Sequence, residues 1–298
     1  MKKQDMGMRR LSFTVMLILS ILALLPFILL VIASFTDSAA VTANGFSFFP
    51  EKWSLEAYTY ILAEWQTIGQ AYLVTIFVTV VGTVLSLVIT SMLGYALSCR
   101  DLPGQRVIMM MLMVAMLFNG GVVATYIIYT NLLHIKDTIW ALIIPNLLMN
   151  AFNVILVKNY FSTSISPSLR EAAYLDGAGE FKTFIKVVLP LSKPIMATIG
   201  LMTAIAYWND WTNGLYYLSD RYGSQYYTIQ LLLNRINDNV SYLTTHAAEL
   251  GMAASSSTLP SATIRMAIAV VGIVPIIIAY PFFQGYFVKG ISIGGVKE

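Results

Sequence analysis

Few side chains in this sequence are equipped for covalent chemistry, and those few do not converge. Cys99 is the single cysteine, and the two histidines, His134 and His246, lie far apart with no acidic partner at ligand spacing. That excludes a disulfide framework and leaves no thiolate or imidazole cluster for a metal. No glycine-rich loop ends in Lys-Ser or Lys-Thr, the pattern that cradles phosphate. What the chain does hold is hydrogen-bonding and stacking groups set inside apolar runs. In IIPNLLMNAFNVILV, Asn146, Asn150 and Asn153 fall at i, i+4 and i+7, one face of a helix if the run is unbroken. Carboxamides so placed serve either as glue between helices, with Asn146 answering a carbonyl freed by Pro145, or as a lining of alternating donors and acceptors. A second group, Tyr207, Trp208, Asn209, Asp210, Trp211 and Asn213, offers aromatic faces for stacking beside fixed amides and a carboxylate. Asp210 at membrane depth needs solvation, a proton or a partner; the alternative is an interfacial belt with Asp210 already at the headgroups. Asn119, beside Gly120 and Gly121, is a weaker polar candidate, and Thr75, Thr79, Thr83, Ser86 and Thr90 read as internal packing groups.

The elements that must position these groups are set by composition. The chain has 298 residues, 57% hydrophobic and only 11% charged, against roughly 25% charged in an ordinary soluble domain, so a soluble enzyme is disfavoured and a polytopic all-α membrane protein is expected. Apolar segments at 11–35, 70–98, 107–130, 139–157, 194–216 and 262–286 predict six transmembrane helices. The first follows the charged start MKKQDMGMRR, and its apolar run of about 25 residues exceeds a cleavable signal core, so it is read as retained behind a cytoplasmic segment at 1–10, with Pro26 expected to kink it or mark a tight contact. With the N-terminus inside, 13 of the 18 Lys and Arg residues fall on the cytoplasmic side and only Lys52, Lys136, Arg221, Arg235 and Arg265 outside. Both termini are then cytoplasmic, 36–69 and 217–261 are outer connections, and 158–193 is the long inner one. The net charge of +3 carries no basic run suited to nucleic acid.

The inner connection holds the sharpest pattern. Residues 166–190, SPSLREAAYLDGAGEFKTFIKVVLP, read as two short helices about a glycine turn. Ser166 and Pro167 suit an N-cap and first helical position, and Gly177 and Gly179 bracket the break. Phe181, Phe184, Ile185, Val188 and Leu189 fall on one helical face, with Lys182 and Lys186 opposite, and Pro190 and Pro194 end the segment. An amphipathic loop lying in the headgroup region satisfies this pattern, and so does a helix seated in another protein's groove.

Glu171-Ala172-Ala173, then Asp176-Gly177-Ala178, Ile185 and Leu189-Pro190, resemble the coupling loop of ABC importer permeases. Gly94-Tyr95-Ala96-Leu97, Leu102-Pro103-Gly104 and Ala206-Tyr207-Trp208-Asn209-Asp210-Trp211 extend the likeness over essentially the whole chain and resemble the carbohydrate-importer branch, more narrowly the lipoprotein-like and complex-oligosaccharide permeases. The resemblance implies the type I importer permease fold and half of a pore shared with a second permease. It also implies two ATPase subunits that bind the ATP and Mg2+, an extracytoplasmic solute-binding protein, and no cofactor or catalysis in this chain. Glu171, Ala172, Ala173, Asp176, Gly177, Gly179, Leu189 and Pro190 would then couple to the ATPase, with Gly177 permitting the turn. Sugar would pass Asn119, Asn146, Asn150, Asn153, Tyr207, Trp208, Asn209, Asp210 and Asn213. Tyr226, Tyr227, Asn234 and Arg235 would lie in the region that meets the binding protein, where covering the pore mouth is an equal explanation. A non-carbohydrate importer is the main alternative; an enzyme lacks its residue set, and a scaffold or receptor leaves the loop pattern unexplained.

Overall fold

Long apolar runs with little Gly or Pro make long helices, and interrupted runs make short ones. The computed structural model describes residues 2–99, 102–246 and 262–295. In chain order the helices are α1 (Lys2–Ser34), α2 (Ser38–Asn44), α3 (Glu56–Ala63), α4 (Trp65–Ser98), α5 (Gln105–Leu117), α6 (Gly121–Ile127), α7 (Trp140–Ile143), α8 (Ala151–Ser164), α9 (Pro167–Leu175) and α10 (Glu180–Thr183). They continue with α11 (Leu189–Leu191), α12 (Lys193–Trp208), α13 (Thr212–Tyr217), α14 (Ile229–His246) and α15 (Ala262–Gly295). Wider π turns follow α6 at Ile128–Leu132 and α10 at Phe184–Val188. Among the described residues the β-type pairing is one isolated bridge between Thr36 and Trp53. The stretch 251–260 expected to end the outer connection lies outside the described residues, as do Arg100 and Lys297.

Two of the expected spans are single helices long and apolar enough to cross a membrane: Gly7–Ser34 within α1, which contains Pro26, and α4. Three others are broken. The run at 107–130 stops where Phe118 turns extended and resumes at Gly121; the run at 139–157 divides into α7 and α8; the run at 194–216 divides at Asn209–Trp211 into α12 and α13. Asn146, Asn150 and Asn153 therefore do not share one helical face. Pro145 has no N–H to continue α7, Asn146 takes a left-handed backbone (φ 61°), and Asn150 sits outside α8 as its cap. The connection at 217–261, expected outside, likewise contains a helix, α14.

The contacts define two units, one built on Met1–Ile68 and Leu233–Pro275, the other on Gly69–Leu232 and Ile276–Glu298. In the first, the end of α1 is tied to α3: Ser34 and the Tyr58 hydroxyl stand 2.9 Å apart and Phe35 stacks on Tyr58 at 4.7 Å. Asp37 accepts from the amides of Ala39 and Ala40, capping α2, and pairs with Lys52 at 2.9 Å. Lys52 holds the Asp37 carboxyl below its ordinary range. Ser38 and Thr263, hydroxyl to hydroxyl at 2.7 Å, join α2 to α15.

In the second unit α4 contributes to both main buried clusters, through Val78 and Tyr95. Val78, Leu142, Ile143, Tyr207, Tyr217 and Leu231 form one buried cluster, and Tyr95, Val157, Phe161, Phe184, Val188 and Ile199 another. Small residues let the helix backbones close in, as lipid-embedded packing requires. A methyl group on Gly82 would stand 2.5 Å from the Tyr207 ring, and one on Gly94 would stand 2.8 Å from Val157. Asp137 staples the α6–α7 connection to the segment after α13, its carboxylate accepting from the Ser219 amide and, at 2.9 Å, the Ser219 hydroxyl.

Gly94→Val is expected to destabilise the second unit by about 1–3 kcal/mol through overpacking, read as a lower unfolding temperature in detergent. Gly7→Ala, where an added methyl meets nothing within 4 Å, is the matched control and should leave it unchanged.

Candidate functional site

Residues 166–191 fold as two short helical stretches joined by a tight turn. α9 has Pro167 at its first position, where a missing N–H costs nothing. It ends at Gly177 with a left-handed backbone (φ 74°). The Ala178 amide reaches back to the Ala173 carbonyl and the Gly177 amide to that of Tyr174, both at 2.9 Å, the paired bonds of a Schellman stop. Gly179, extended rather than left-handed, precedes α10. Glu171, Ala172, Asp176, Gly177, Gly179 and Pro190 are exposed, Leu189 is half-buried, and Ala173 is buried. The expected single apolar face of the second stretch is divided. Phe184 and Val188 are buried, whereas Phe181 and Ile185 are 65% and 45% exposed. The π turn at Phe184–Val188 explains the difference, because it carries more residues per turn than the α period assumed. The chain then bends by 82° between Glu180–Leu191 and α12.

A set of residues absent from the sequence expectations ties this loop to the bundle. Arg170 Nη2 donates to Ser98 Oγ at 2.9 Å and to the Phe161 carbonyl at 3.2 Å, joining α9 to the ends of α4 and α8, while its guanidinium lies over the Tyr95 ring at 5.4 Å. The Tyr95 hydroxyl donates to Glu180 Oε2 at 2.5 Å, and the Tyr174 hydroxyl donates to Oε1. The two tyrosine hydroxyls, Tyr174 foremost, hold the Glu180 carboxyl below its ordinary range, and the bond to Glu180 pushes the Tyr174 phenol up to about 12. The Glu180 contribution to stability is therefore present at neutral pH and lost as pH falls through its lowered pKa. Beside this knot is a cavity of about 900 Å³, lined among others by Tyr95, Cys99, Arg170, Glu171 and Phe181. The visible signal was the adjacency of Arg170 to Glu171 and of Tyr95 to Gly94; their partners are distant in sequence.

The polar residues of the interrupted segments sit at the breaks. Asn119 is exposed and accepts from the Gly121 amide at 2.9 Å. Asn146 and Asn150 are exposed and Asn153 is buried; Asn150 Oδ1 accepts from the Asn153 amide at 3.2 Å. The carbonyls near Pro145 are answered from α12 and α13, with Tyr207 donating to Ile143 at 2.8 Å and Asn213 to Pro145 at 3.0 Å. Asp210, half-buried, accepts from the amides of Thr212 and Asn213 at 3.1 and 3.3 Å. Trp208 is buried and Asn209 exposed, its amide donating to the Ile205 carbonyl at 3.0 Å. Tyr226, Tyr227, Asn234 and Arg235 are all half-buried; Tyr227 donates to Asp220 at 2.6 Å, and Asn234 to Asp238 at 3.4 Å along α14. Among the described residues no group of three His, Cys, Asp or Glu side chains is placed to hold a metal.

Membrane-length apolar helices with an amphipathic loop locked to them are the build of a membrane protein. The chain belongs to the binding-protein-dependent transport system inner membrane component family, whose pattern it matches over residues 100–293. Members of this family are transport components without catalysis of their own. The chain is 40% identical to the polygalacturonan/rhamnogalacturonan transport system permease protein YtcP of Bacillus subtilis (strain 168), over 95% of each chain. It is 35% identical to protein LplC of the same organism, over 93% of this chain and 90% of that one. Among solved structures it is similar to a bacterial ABC transporter involved in the import of the acidic polysaccharide alginate, with a TM-score of 0.76 and 32% identity over 94% of this chain and 97% of that one. A likeness of that extent places the fold in the type I ABC importer class.

Asn150→Ala is expected to cost about 1 kcal/mol, the usual loss for an N-cap. Amide exchange should quicken at the start of α8, and Asn150→Asp, which keeps the acceptor, should restore protection.

Proposed function

We propose that this chain is one of two permease subunits forming the translocation path of a carbohydrate or oligosaccharide importer, energised by separate ATPase subunits through residues 158–193. The observation that carries the reading is the hairpin at 167–191, which has Glu171, Phe181 and Ile185 among its exposed residues while buried Phe184 and Val188 and the bonds of Arg170 and Glu180 fix it to the bundle. An exposed carboxylate flanked by small Ala172, with two exposed apolar side chains close in sequence, suits a docking helix better than a headgroup-lying one, whose apolar side chains would share one face. Ala173, Gly177, Gly179, Leu189 and Pro190 shape that helix pair, and exposed Asp176 adds a second carboxylate beside the Gly177 turn. The carbohydrate assignment is supported by relatives named for polygalacturonan/rhamnogalacturonan transport and for alginate import.

The remaining parts follow from that reading. The chain spans the bacterial cytoplasmic membrane six times, three of the crossings being broken helices, with residues 1–10, both termini and the 158–193 loop cytoplasmic. A second homologous permease completes the pore, two ATPase subunits bind the ATP and Mg2+, and an extracytoplasmic binding protein meets 217–261 near Tyr226, Tyr227, Asn234 and Arg235. Exposed Asn119, Asn146, Asn150 and Asn209 face the pathway, and Asp210, Asn153, Tyr207, Trp208 and Asn213 set the breaks that display them. Irregular backbone inside a membrane is tolerated where it lines a polar cavity or is buried in protein. Docking of the loaded binding protein outside and ATPase closure inside favour opposite pore states.

Glu171→Ala should weaken ATPase retention by about tenfold, the loss of one charge-assisted hydrogen bond of roughly 1.5 kcal/mol, measured by co-purification of the assembled importer at graded ATPase concentrations. Retention and uptake both at the parent level would remove the docking role. For the cargo, uptake into proteoliposomes of labelled uronic-acid oligosaccharides, neutral oligosaccharides and amino acids is the direct comparison. Saturable uptake of a sugar class is expected, and transport confined to amino acids would overturn the carbohydrate assignment.

A further inference from the structure

The knot between the loop and the bundle has a geometry that a tether alone does not require. Glu180 accepts a hydrogen bond on each oxygen, from the hydroxyl of Tyr95 on α4 and from that of Tyr174 on α9, so one carboxylate joins the long helix, α9 and its own α10. Arg170 binds the same corner from the other side, through Ser98 and Phe161 and over the Tyr95 ring. Tyr95 is buried. Each carboxylate oxygen accepts one bond from a different helix, so a rotation of α9 against α4 breaks at least one of them.

We infer that Tyr95, Arg170, Tyr174 and Glu180 form a clasp that makes α9, α10 and the end of α4 move as one body, with Glu180 the positioning residue that transmits displacement of the loop into the membrane helix. This rests on the docking reading of the loop. The clasp sets how much of the loop's movement reaches α4 rather than whether the loop is bound. Cys99 supplies a reporter, since it lines the cavity beside the clasp and Arg170 Nη1 lies 3.7 Å from its sulfur.

The test uses the complete importer in proteoliposomes with its binding protein, comparing parent, Tyr95→Phe and Glu180→Gln. Tyr95→Phe deletes a single hydroxyl and leaves the ring under Arg170; Glu180→Gln keeps the shape and removes the charge. Both variants are expected to retain the ATPase subunits and to hydrolyse ATP within about twofold of the parent, while uptake per ATP falls about tenfold, as a lost coupling of the usual allosteric size requires. N-ethylmaleimide should alkylate Cys99, followed by mass spectrometry of its peptide, about fivefold or more faster than in the parent, the rate of a site whose local opening is eased. An unchanged uptake-to-hydrolysis ratio with an unchanged Cys99 rate, in either variant with ATPase retained, overturns the clasp. Failure of the docking reading shows elsewhere, as full ATPase retention in Glu171→Ala. A merely structural role would lower assembly and hydrolysis together and leave their ratio to uptake at the parent value, and that outcome also overturns the proposal.

Discussion

A backbone amide or carbonyl left unbonded in hydrocarbon costs several kcal/mol, more than any single side-chain contact in this chain returns. Everything unusual about the second unit follows from that constraint. Three apolar segments break where a continuous helix would have satisfied its own backbone, and each break is answered by a polar side chain. Asn119 takes the Gly121 amide, Asn150 the Asn153 amide, and Asp210 the amides of Thr212 and Asn213. At Pro145 the debt is settled from another helix, by Tyr207 and Asn213. Those two bonds fix α12 and α13 against the α7–α8 turn, so breaking the helix and assembling the bundle are one event.

The long helices were legible because length alone decides them: an apolar run of the length of α1 or α4 has few other stable states in a bilayer. The Gly177 turn was legible too, since a glycine a few residues past an alanine-rich helix is the usual requirement of a left-handed stop. The breaks were not. Asn146, Asn150 and Asn153 have helical spacing, and periodicity cannot tell a stripe on a helix from a cap beside one; Pro145 was the local warning, outweighed by the apolar residues around it. The break at Asn209–Trp211 carries neither Gly nor Pro, and only the capping habit of Asn and Asp points to it.

Side chains acting across sequence were the least legible. Tyr95 and Glu180 are 85 residues apart, and Asp137 and Ser219 are 82 apart. Each looks ordinary in its own window: a tyrosine near a helix end, a glutamate at a helix start, an aspartate in a turn. The scarcity of charge is the general clue. With 11% charged residues, a carboxylate near an apolar segment is retained against a desolvation cost, and it tends to be found satisfying donors from more than one element. Asp37 and Glu180 do so here, whereas Asp137 takes two donors from Ser219 and Asp210 two from the start of α13, and all four hold corners of the fold.

If the loop moves as proposed, its junction with α12 is one attachment and the clasp a second. The chain bends by 82° at Ser192, between Pro190 and Pro194, and Ser192 is buried with its hydroxyl on the Val188 carbonyl at 2.7 Å. That elbow is stiff locally, but a single covalent joint still leaves the α9–α10 pair free to swing about it, and a push on Glu171 would be spent in rotation. A second attachment at the end of α4, well separated in sequence from the elbow, removes that freedom. Buried Phe184 and Val188 supply area against Tyr95 and Phe161, which resists separation but is non-directional and tolerates sliding. The bonds of Glu180 and Arg170 are directional and resist the slide. On the proposed clasp, apolar packing sets whether the loop stays on the bundle, and the polar bonds set whether its movement reaches the membrane helix.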